Sequence, residues 1–324
     1  MSKDSYSVVI ATYNRPAVAA RLVRYLTSDL GWQVPVIVVE QTEDAGASLR
    51  RQLDPWPDGR VSLLVDDGRG SARARNRGVR EATSEWLIFF DDDSVPVRDY
   101  LENLRQALTQ NPWVDAVQGG IFYEREYEEY LANPEDWSAR FSPNAARSRE
   151  RLPPSRDGVM WFTGSVRANY SALTIGTGSC NLVIRRDTYL RVGGFDENMR
   201  ALEDRELGLR LWWYGYRTLY SPRPAVFHLH HPIGGMRHPE RRPFRQRFEP
   251  RPREADLAYL YVKWFPGIPL ATMALHQVVT SSLTRPWLMP LHALRMWKAV
   301  RDARSRLLLG PRYVESAEPL PRPD

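Results

Sequence analysis

EWLIFFD, residues 85–91, sets five apolar residues in a row between two acids. A short apolar run without alternation fits a strand buried on both faces, the situation of a parallel sheet covered by helices. Three runs of the same kind precede it: SVVIATY (7–13), PVIVVE (35–40) and VSLLVD (61–66). Helical spacing lies between them, over about 16–28, where Val18, Leu22, Val23 and Leu26 share a face, and over about 71–82. Strand and helix in regular alternation predict an α/β, Rossmann-like fold with a mostly parallel central sheet and helices on both faces. Ligands of such sheets meet the carboxyl ends of the strands. Chemistry is therefore expected at Thr12 to Arg15, Glu40 to Asp44, Asp66 to Gly70 and Asp91 to Asp93.

Farther along, residues 121–175 break the alternation. An acidic, aromatic stretch (YEREYEEYLANPEDW) is followed by a basic one (ARSRERLPPSRDG), which predicts an insertion or acceptor-binding region rather than scaffold. Order resumes at SCNLVIRR (179–186), with a helix over about 203–214 and a strand near 217–229. Residues 237–253 hold seven arginines and four prolines and read as a mobile loop or linker. The expected organisation is thus a catalytic domain over 1–236, the Arg/Pro-rich segment 237–253, a C-terminal helical region over 254–310 and a tail over 311–324. The uncharged run Trp264 to Thr284 is nominally long enough to span a bilayer. Seven polar residues argue instead for an amphipathic helix on the core or on a membrane surface.

Composition narrows the class. With 43% hydrophobic and 26% charged residues, the chain is an ordinary soluble globular protein of 324 residues. The lone Cys180 cannot staple the chain to itself, and no basic segment leads into a long apolar run at the N-terminus. A cytoplasmic protein is expected. All but three of the 45 basic residues are arginine, and guanidinium groups grip phosphates bidentately. That suits an anionic partner such as a nucleoside diphosphate or an acidic lipid. No nucleic-acid module is recognisable, and no nucleic-acid partner is expected.

Three constellations carry chemistry. In FFDDDSVP (89–96) three aspartates follow a buried strand, and their mutual repulsion is costly unless a cation is shared. Strand alternation puts Asp91 and Asp93 on one side and Asp92 on the other. Such hard oxygen ligands suit Mg²⁺ or Mn²⁺, while a solvated acidic turn capping the next helix is the alternative. In ALEDRELGLRLWWYGYR (201–217), Leu207, Leu211 and Tyr214 line one helix face. Glu203 and Asp204 fall in the first turn, where an acid either meets the helix dipole or serves as a general base. In AVFHLHHP (225–232), His228 and His230 at i, i+2 share a strand face, and imidazole mixes readily with carboxylate around Mn²⁺.

Together these segments resemble the family 2 glycosyltransferases, inverting enzymes with the GT-A fold. SVVIATYNR resembles that family's first strand and loop, and GSARARNRGVREATSEWLIFFDDD its stretch from Ala-Arg-Asn to Asp-x-Asp. RRDTYLRVGGFDENMRALEDRELGLRLWWYGYR resembles its Gly-Gly-Phe-Asp-Glu segment followed by Glu-Asp. The matches stand in order over about residues 5–232. The resemblance implies that Thr12 and Arg15 border the nucleotide pocket, and that Glu40 stands where the family has an aspartate near the base or ribose. It further implies that Arg75 approaches the nucleotide, that Asp91 and Asp92 contact the donor, and that Asp93 and His228 hold a divalent metal, with Asp91 and His230 as alternatives. Asp204 would be the base, with Gly178 and Glu203 near the donor sugar or acceptor. The implied reaction moves a sugar from a nucleotide-diphosphate sugar, UDP- or dTDP-linked, to an acceptor hydroxyl with inversion. The pathway would build a surface polysaccharide or another glycoconjugate. Trp264, Phe265, Trp287 and Trp297 among basic residues suit a lipid-linked acceptor and a peripheral contact at the inner face of the membrane. The competing readings are a catalytically silent sugar- or nucleotide-binding module and a nucleotidyltransferase.

Overall fold

A computed structural model describes residues 6–42, 44, 46–53, 59–135, 137–141, 146–151, 168–231, 248–264, 278 and 286–310. One sheet of ten strands organises it. The strands are β1 (Tyr6–Thr12), β2 (Val36–Glu40), β3 (Val61–Val65), β4 (Trp86–Asp91), β5 (Ser94–Pro96), β6 (Ala116–Phe122), β7 (Ala146–Arg151), β8 (Ser171–Thr174), β9 (Leu182–Arg185) and β10 (Thr218–His228). The helices are α1 (Pro16–Arg24), α2 (Ala47–Gln52), α3 (Ser71–Glu81), α4 (Tyr100–Gln110), α5 (Glu124–Ala132), α6 (Arg186–Arg191), α7 (Glu203–Trp213), α8 (Pro252–Trp264) and α9 (Met289–Leu308).

The sheet runs β3-β2-β1-β4-β9-β6-β10-β8-β7, with β5 paired to β10 off that path. Strands β1 to β4 form the expected parallel half. The other half is mixed: β9 lies antiparallel to both β4 and β6, and β10 runs antiparallel to β8 and β5. Both faces of the parallel half are covered, and alternate residues sort accordingly. Val8, Ile10, Val36, Val38, Ile88 and Phe90 meet α1 and α4. Val9, Ile37, Val39, Leu87 and Phe89 meet α3, α6 and α7. Each such side chain contributes about 1.5–3 kcal/mol by leaving water, which is why these strands carry no polar face. Leu207 and Leu211 are fully buried in the second of these cores and Tyr214 packs against it, as the helical spacing predicted.

Register then lays out the carboxyl edge. Thr12 lies beside Glu40, Glu40 beside Val65, and Ala11 beside Asp91, so the acids at the ends of β2, β3 and β4 stand in one row. In β10 the pairing with β6 slips between Ser221 and Val226, a bulge that contains Pro222 and Pro224. Gly119 and Gly120 permit it: a Cβ on either would come within 2.2 Å of the Pro224 carbonyl or 2.5 Å of the Pro222 carbonyl. Beyond the bulge β10 pairs with β5, the three residues that follow the aspartates, and His228 lies opposite Ser94.

Residues 121–141 differ from expectation. They are built into the scaffold, because the aromatic residues of α5 and its flank pack on the end of β10. Tyr130 and Trp137 are buried with ring centroids 4.9 and 5.0 Å from Phe227. At the C-terminal end, α8 and α9 pack against Met199, Leu202 and Leu209 in a third core. Residues 237–247, most of the Arg/Pro-rich segment, lie outside the described residues, as do Phe265 and nearly all of the run from Trp264 to Thr284. No helix among the described residues is long and apolar enough to cross a membrane.

Candidate active site

The three aspartates after β4 diverge into separate roles. Asp92 turns toward β1, where it accepts hydrogen bonds from Thr12 Oγ1 at 2.7 Å and Arg15 Nη1 at 2.9 Å. Burial pushes its carboxyl up to about 6, the nearby charge of Asp93 adding to the effect and Arg15 opposing it. Asp93 also receives Arg15 Nη1, at 3.0 Å, and the amide of His231, at 2.9 Å, both on Oδ2. Arg15 completes its set on the His231 carbonyl at 3.0 Å. Thr12 and Arg15 are thus engaged in shaping the acidic loop, at the edge where a nucleotide pocket was expected. Glu40 is 1% exposed and its Oε1 accepts the amide and hydroxyl of Thr42, so its carboxylate folds the loop after β2.

Asp91 and Asp93 converge on His228, although Asp92 and Asp93 lie in the turn beyond the end of β4 rather than in the strand. His228 Nε2 lies 3.0 Å from Asp93 Oδ1 and 3.6 Å from Asp91 Oδ2. Burial alone would favour neutral imidazole, yet Asp93, Cys180 and Asp91 together raise the His228 pKa far above its ordinary value. Burial likewise opposes the charge on Asp93, but His228, the His231 amide and Arg15 hold its carboxyl well below the usual range. This pocket demands a positive charge. Asp93 Oδ1 is fully buried and no donor meets it with hydrogen-bond alignment, a costly condition for a carboxylate oxygen. Ligand atoms of Asp91, Cys180 and His228 also lie within 4.8 Å of one another. Two carboxylates and an imidazole around one orphaned oxygen fit a divalent cation, Mn²⁺ more readily than Mg²⁺ given the nitrogen donor. The His230 ring lies 4.4 Å from that of His228, but its nitrogens are not among the ligand atoms that converge. His230 stands beyond the strand end with φ 44°, so the period of two no longer applies, and its ring stacks on Tyr123 at 5.0 Å.

The second acidic cluster opens α7. Glu203 Oε1 accepts Ser71 Oγ and Arg75 Nη1, the latter at 2.9 Å, while Arg75 Nη2 reaches Asp91 Oδ1 at 2.7 Å. Arg75 is therefore a buried bridge between the two clusters. Its neighbour Asn76 serves a different end, bonding the backbone of Phe195 on both sides, 3.0 Å to N and 2.9 Å to O. That bond holds the turn in which Gly193 and Gly194 adopt φ 88° and 70°. Asp204 differs from the other acids of this turn: among the described residues it forms no ion pair. Its Oδ1 accepts the amide of Arg205 at 2.8 Å, and its backbone carbonyl accepts Thr177 Oγ1. Burial and the charge of Glu203 push its carboxyl up to about 6.

The loop GTGSC (176–180) joins the clusters. Thr177 and Ser179 touch Asp204, Cys180 stands beside His228, and the Gly178 amide between them donates to Gln118 Oε1. Gly178 is thus placed between Asp204 and His228. Sequence reasoning missed Cys180, Ser71, Asn76 and Gln118 as parts of this region. The only local signal for Cys180 was its place two residues after Gly178.

The chain matches the family model described as Glycosyl transferase family 2 over residues 7–169, half of its length. An uncharacterized glycosyltransferase of Haemophilus influenzae is 23% identical over 208 residues, 63% of this chain and 61% of that protein. The pre-mycofactocin glycosyltransferase of Mycobacterium tuberculosis (strain CDC 1551 / Oshkosh) is 28% identical over 238 residues, 71% of this chain and 43% of that protein. The chain therefore spans less than two thirds of either relative. Among solved structures, the mannosyltransferase PcManGT from Pyrobaculum calidifontis, in complex with GDP-Man and Mn²⁺, superposes with a TM-score of 0.53 at 19% identity. That match covers 95% of this chain and 75% of the mannosyltransferase, and at such identity it speaks for the fold.

Proposed function

The chain belongs to the family 2 glycosyltransferases, with the GT-A fold, and from that premise we propose that it moves a sugar from a nucleotide-diphosphate sugar to an acceptor hydroxyl with inversion and a divalent cation. One observation carries the reading. The Asp91, Asp93 and His228 cluster and Asp204, which forms no ion pair among the described residues, stand at the same sheet edge, tied through Glu203 by one buried arginine.

The chemistry follows from that arrangement. A sugar hydroxyl has a pKa far above 7 and needs a base at the moment of attack. Asp204, with its carboxyl raised to about 6, is ionised at neutral pH and is a stronger base than an ordinary aspartate. As the acceptor oxygen bonds to the anomeric carbon, its proton passes to Asp204 and the bond to the nucleotide's β-phosphate breaks on the opposite face. Asp93 and His228, with Asp91 beside them, would hold a divalent cation, which would supply electrostatic stabilisation of the departing diphosphate. Arg75 keeps Glu203 and Asp91 at fixed separation, so base and donor pocket stay in register. Thr12, Arg15, Asp92 and Glu40 shape the nucleotide side of the edge, and the 176–180 loop faces donor sugar and acceptor.

The acceptor in this reading is lipid-linked or otherwise near a membrane, with a UDP- or dTDP-sugar as donor and GDP-sugars as the alternative to test. Support comes from α9 and its approach, where Trp287 is 73% and Trp297 58% exposed. Arg301 lies 4.9 Å over the Trp297 ring, an arrangement suited to an anionic interface. Thermal shifts with UDP, dTDP and GDP, each with Mn²⁺ and with EDTA, test the donor site. A rise in Tm with one nucleotide that vanishes in EDTA is the expected result. No rise with any nucleotide overturns this reading of the site.

A further inference from the structure

The helix that carries the base begins without a cap of its own. Leu202 occupies the N-cap position and has no acceptor to offer, although a helix start leaves four amides without helical partners. The loop that leads into the helix is held from α8. The Asp256 carboxylate, wholly buried, takes the amides of Arg200 and Ala201 at 2.7 Å and that of Leu202 at 3.3 Å, all on Oδ2. Arg306 of α9 braces it from the other side, donating to Oδ1 at 3.1 Å and to the Asn198 carbonyl at 2.9 Å. The same loop is held at its start by α8, where Tyr259 and Lys263 donate to Asp196 Oδ2 at 2.9 and 2.7 Å.

We infer that Asp256 is a positioning residue for glycosyl transfer: it fixes the turn that presents Asp204 and Glu203, making α8 and α9 part of the catalytic apparatus. The matched family model ends at residue 169, far short of this segment. The physical case is one of tolerance. Glu203 follows directly on the last amide that Asp256 holds, and Glu203 grips Arg75, which grips Asp91. A shift of about 1 Å in a reacting group can cost on the order of 10²-fold in rate. Glu203, Asp204 and Glu206 all lie in this turn, so its placement sets the position of all three carboxylates. The inference rests on Asp204 being the base.

The test is a graded series. Asp256→Ala removes the acceptor, Asp256→Asn keeps one oxygen, and Arg306→Gln removes only the brace. Hydrogen exchange of the amides at 200–206 is measured by mass spectrometry. Nucleoside diphosphate release is followed from UDP-glucose, dTDP-rhamnose and GDP-mannose with Mn²⁺. The expected result is faster exchange at 200–206 and a tenfold or greater loss of kcat in Asp256→Ala, with donor KM within about twofold. Asp256→Asn should recover part of the loss, and Arg306→Gln should lose several-fold. If Asp256→Ala does not fold, Arg306→Gln carries the test alone. A lowered Tm with unchanged kcat, or unchanged exchange at 200–206, overturns the inference. Asp204→Asn is run alongside. Full turnover in that variant means the base assignment has failed, whereas an inactive Asp204→Asn beside a normally active Asp256→Ala means the positioning inference has failed.

Discussion

Two acidic clusters face each other across Arg75, and they answer the same electrostatic problem differently. At Asp91 to Asp93 the compensating groups, Arg15, Arg75 and His228, arrive from three distant segments, yet Asp93 Oδ1 is left without an aligned donor. At Glu203 to Glu206 the outer acids are paired, Glu203 with Arg75 and Glu206 with Arg210 and Lys263, and the middle one is left to itself. The first arrangement gathers carboxylates around His228. The second leaves the Asp204 carboxyl with a raised pKa. Both leave one carboxylate deliberately poorly satisfied where all its neighbours are satisfied well, which is the pattern of a site that is stable around its reactive groups rather than at them.

The sharpest way to break that comparison is Asp204→Asn. Turnover should fall by about 10²–10⁴, the usual weight of a general base, with donor affinity kept. Since the carboxyl's pKa is about 6 in the folded state and ~3.9 in the unfolded chain, the ionised form opposes folding above pH 6. The variant should therefore melt at higher temperature than the parent at pH 8, with the gain shrinking as pH falls toward 4. In the parent enzyme, kcat should rise with pH through about 6. An unchanged acid limb in a partly active variant would assign the base elsewhere.

Next in size is Lys263→Met, which strips the buried cation from Asp196 and Glu206 at once. Leaving a buried carboxylate unpaired, here Asp196 since Glu206 keeps Arg210, costs about 3–5 kcal/mol, read as a fall in urea midpoint at pH 7. The difference fades in acid. Burial raises the pKa of Glu206, but Arg210 and Lys263 lower it to about 2, so its stabilisation is complete above the unfolded value of ~4.3 and is lost as pH falls toward 2. The gap between variant and parent should accordingly narrow below pH 4. A constant gap would show that Lys263 acts through packing.

The smallest effect is expected at the cation site. His228→Ala should weaken Mn²⁺-dependent nucleotide binding by at least the tenfold to hundredfold, roughly, that loss of even an outer partner of a metal costs. Titration calorimetry with nucleotide and Mn²⁺ reads it, and His230→Ala should leave the same isotherm unchanged. Loss in both variants would mean that His230 swings in.

Much of this was legible beforehand because it is local. Runs such as SVVIATY and EWLIFFD declare strands buried on both faces whatever surrounds them, and the spacing of Leu207 and Leu211 declares a buried helix face. β6 was not legible. Its sequence AVQGGIF carries two glycines mid-strand, normally a weakening, and their use appears only when the Pro222–Pro224 bulge is seen pressed against them. The aromatic stretch after it looked like an insertion because its partner, Phe227, lies about a hundred residues away in sequence and on the same sheet edge. Asn76 was hidden for a similar reason: beside Arg75 it looks like a second site residue, but its side chain ends on the backbone of Phe195.

What the chain determined by itself was the alternation of strand and helix, and hence the edge where charged side chains would gather. Periodicity is written in neighbouring residues and survives without knowledge of the rest. Which charges meet was a tertiary decision. His228 reaches Asp93 only because β10 bulges and pairs with β5. Arg75 spans Asp91 and Glu203, 16 and 128 residues away. Asp204 is set apart by what surrounds it, since its neighbours Glu203 and Glu206 are equally acidic in sequence. Desolvation and ion pairing depend on distance in space, and they set one carboxyl apart from the two beside it.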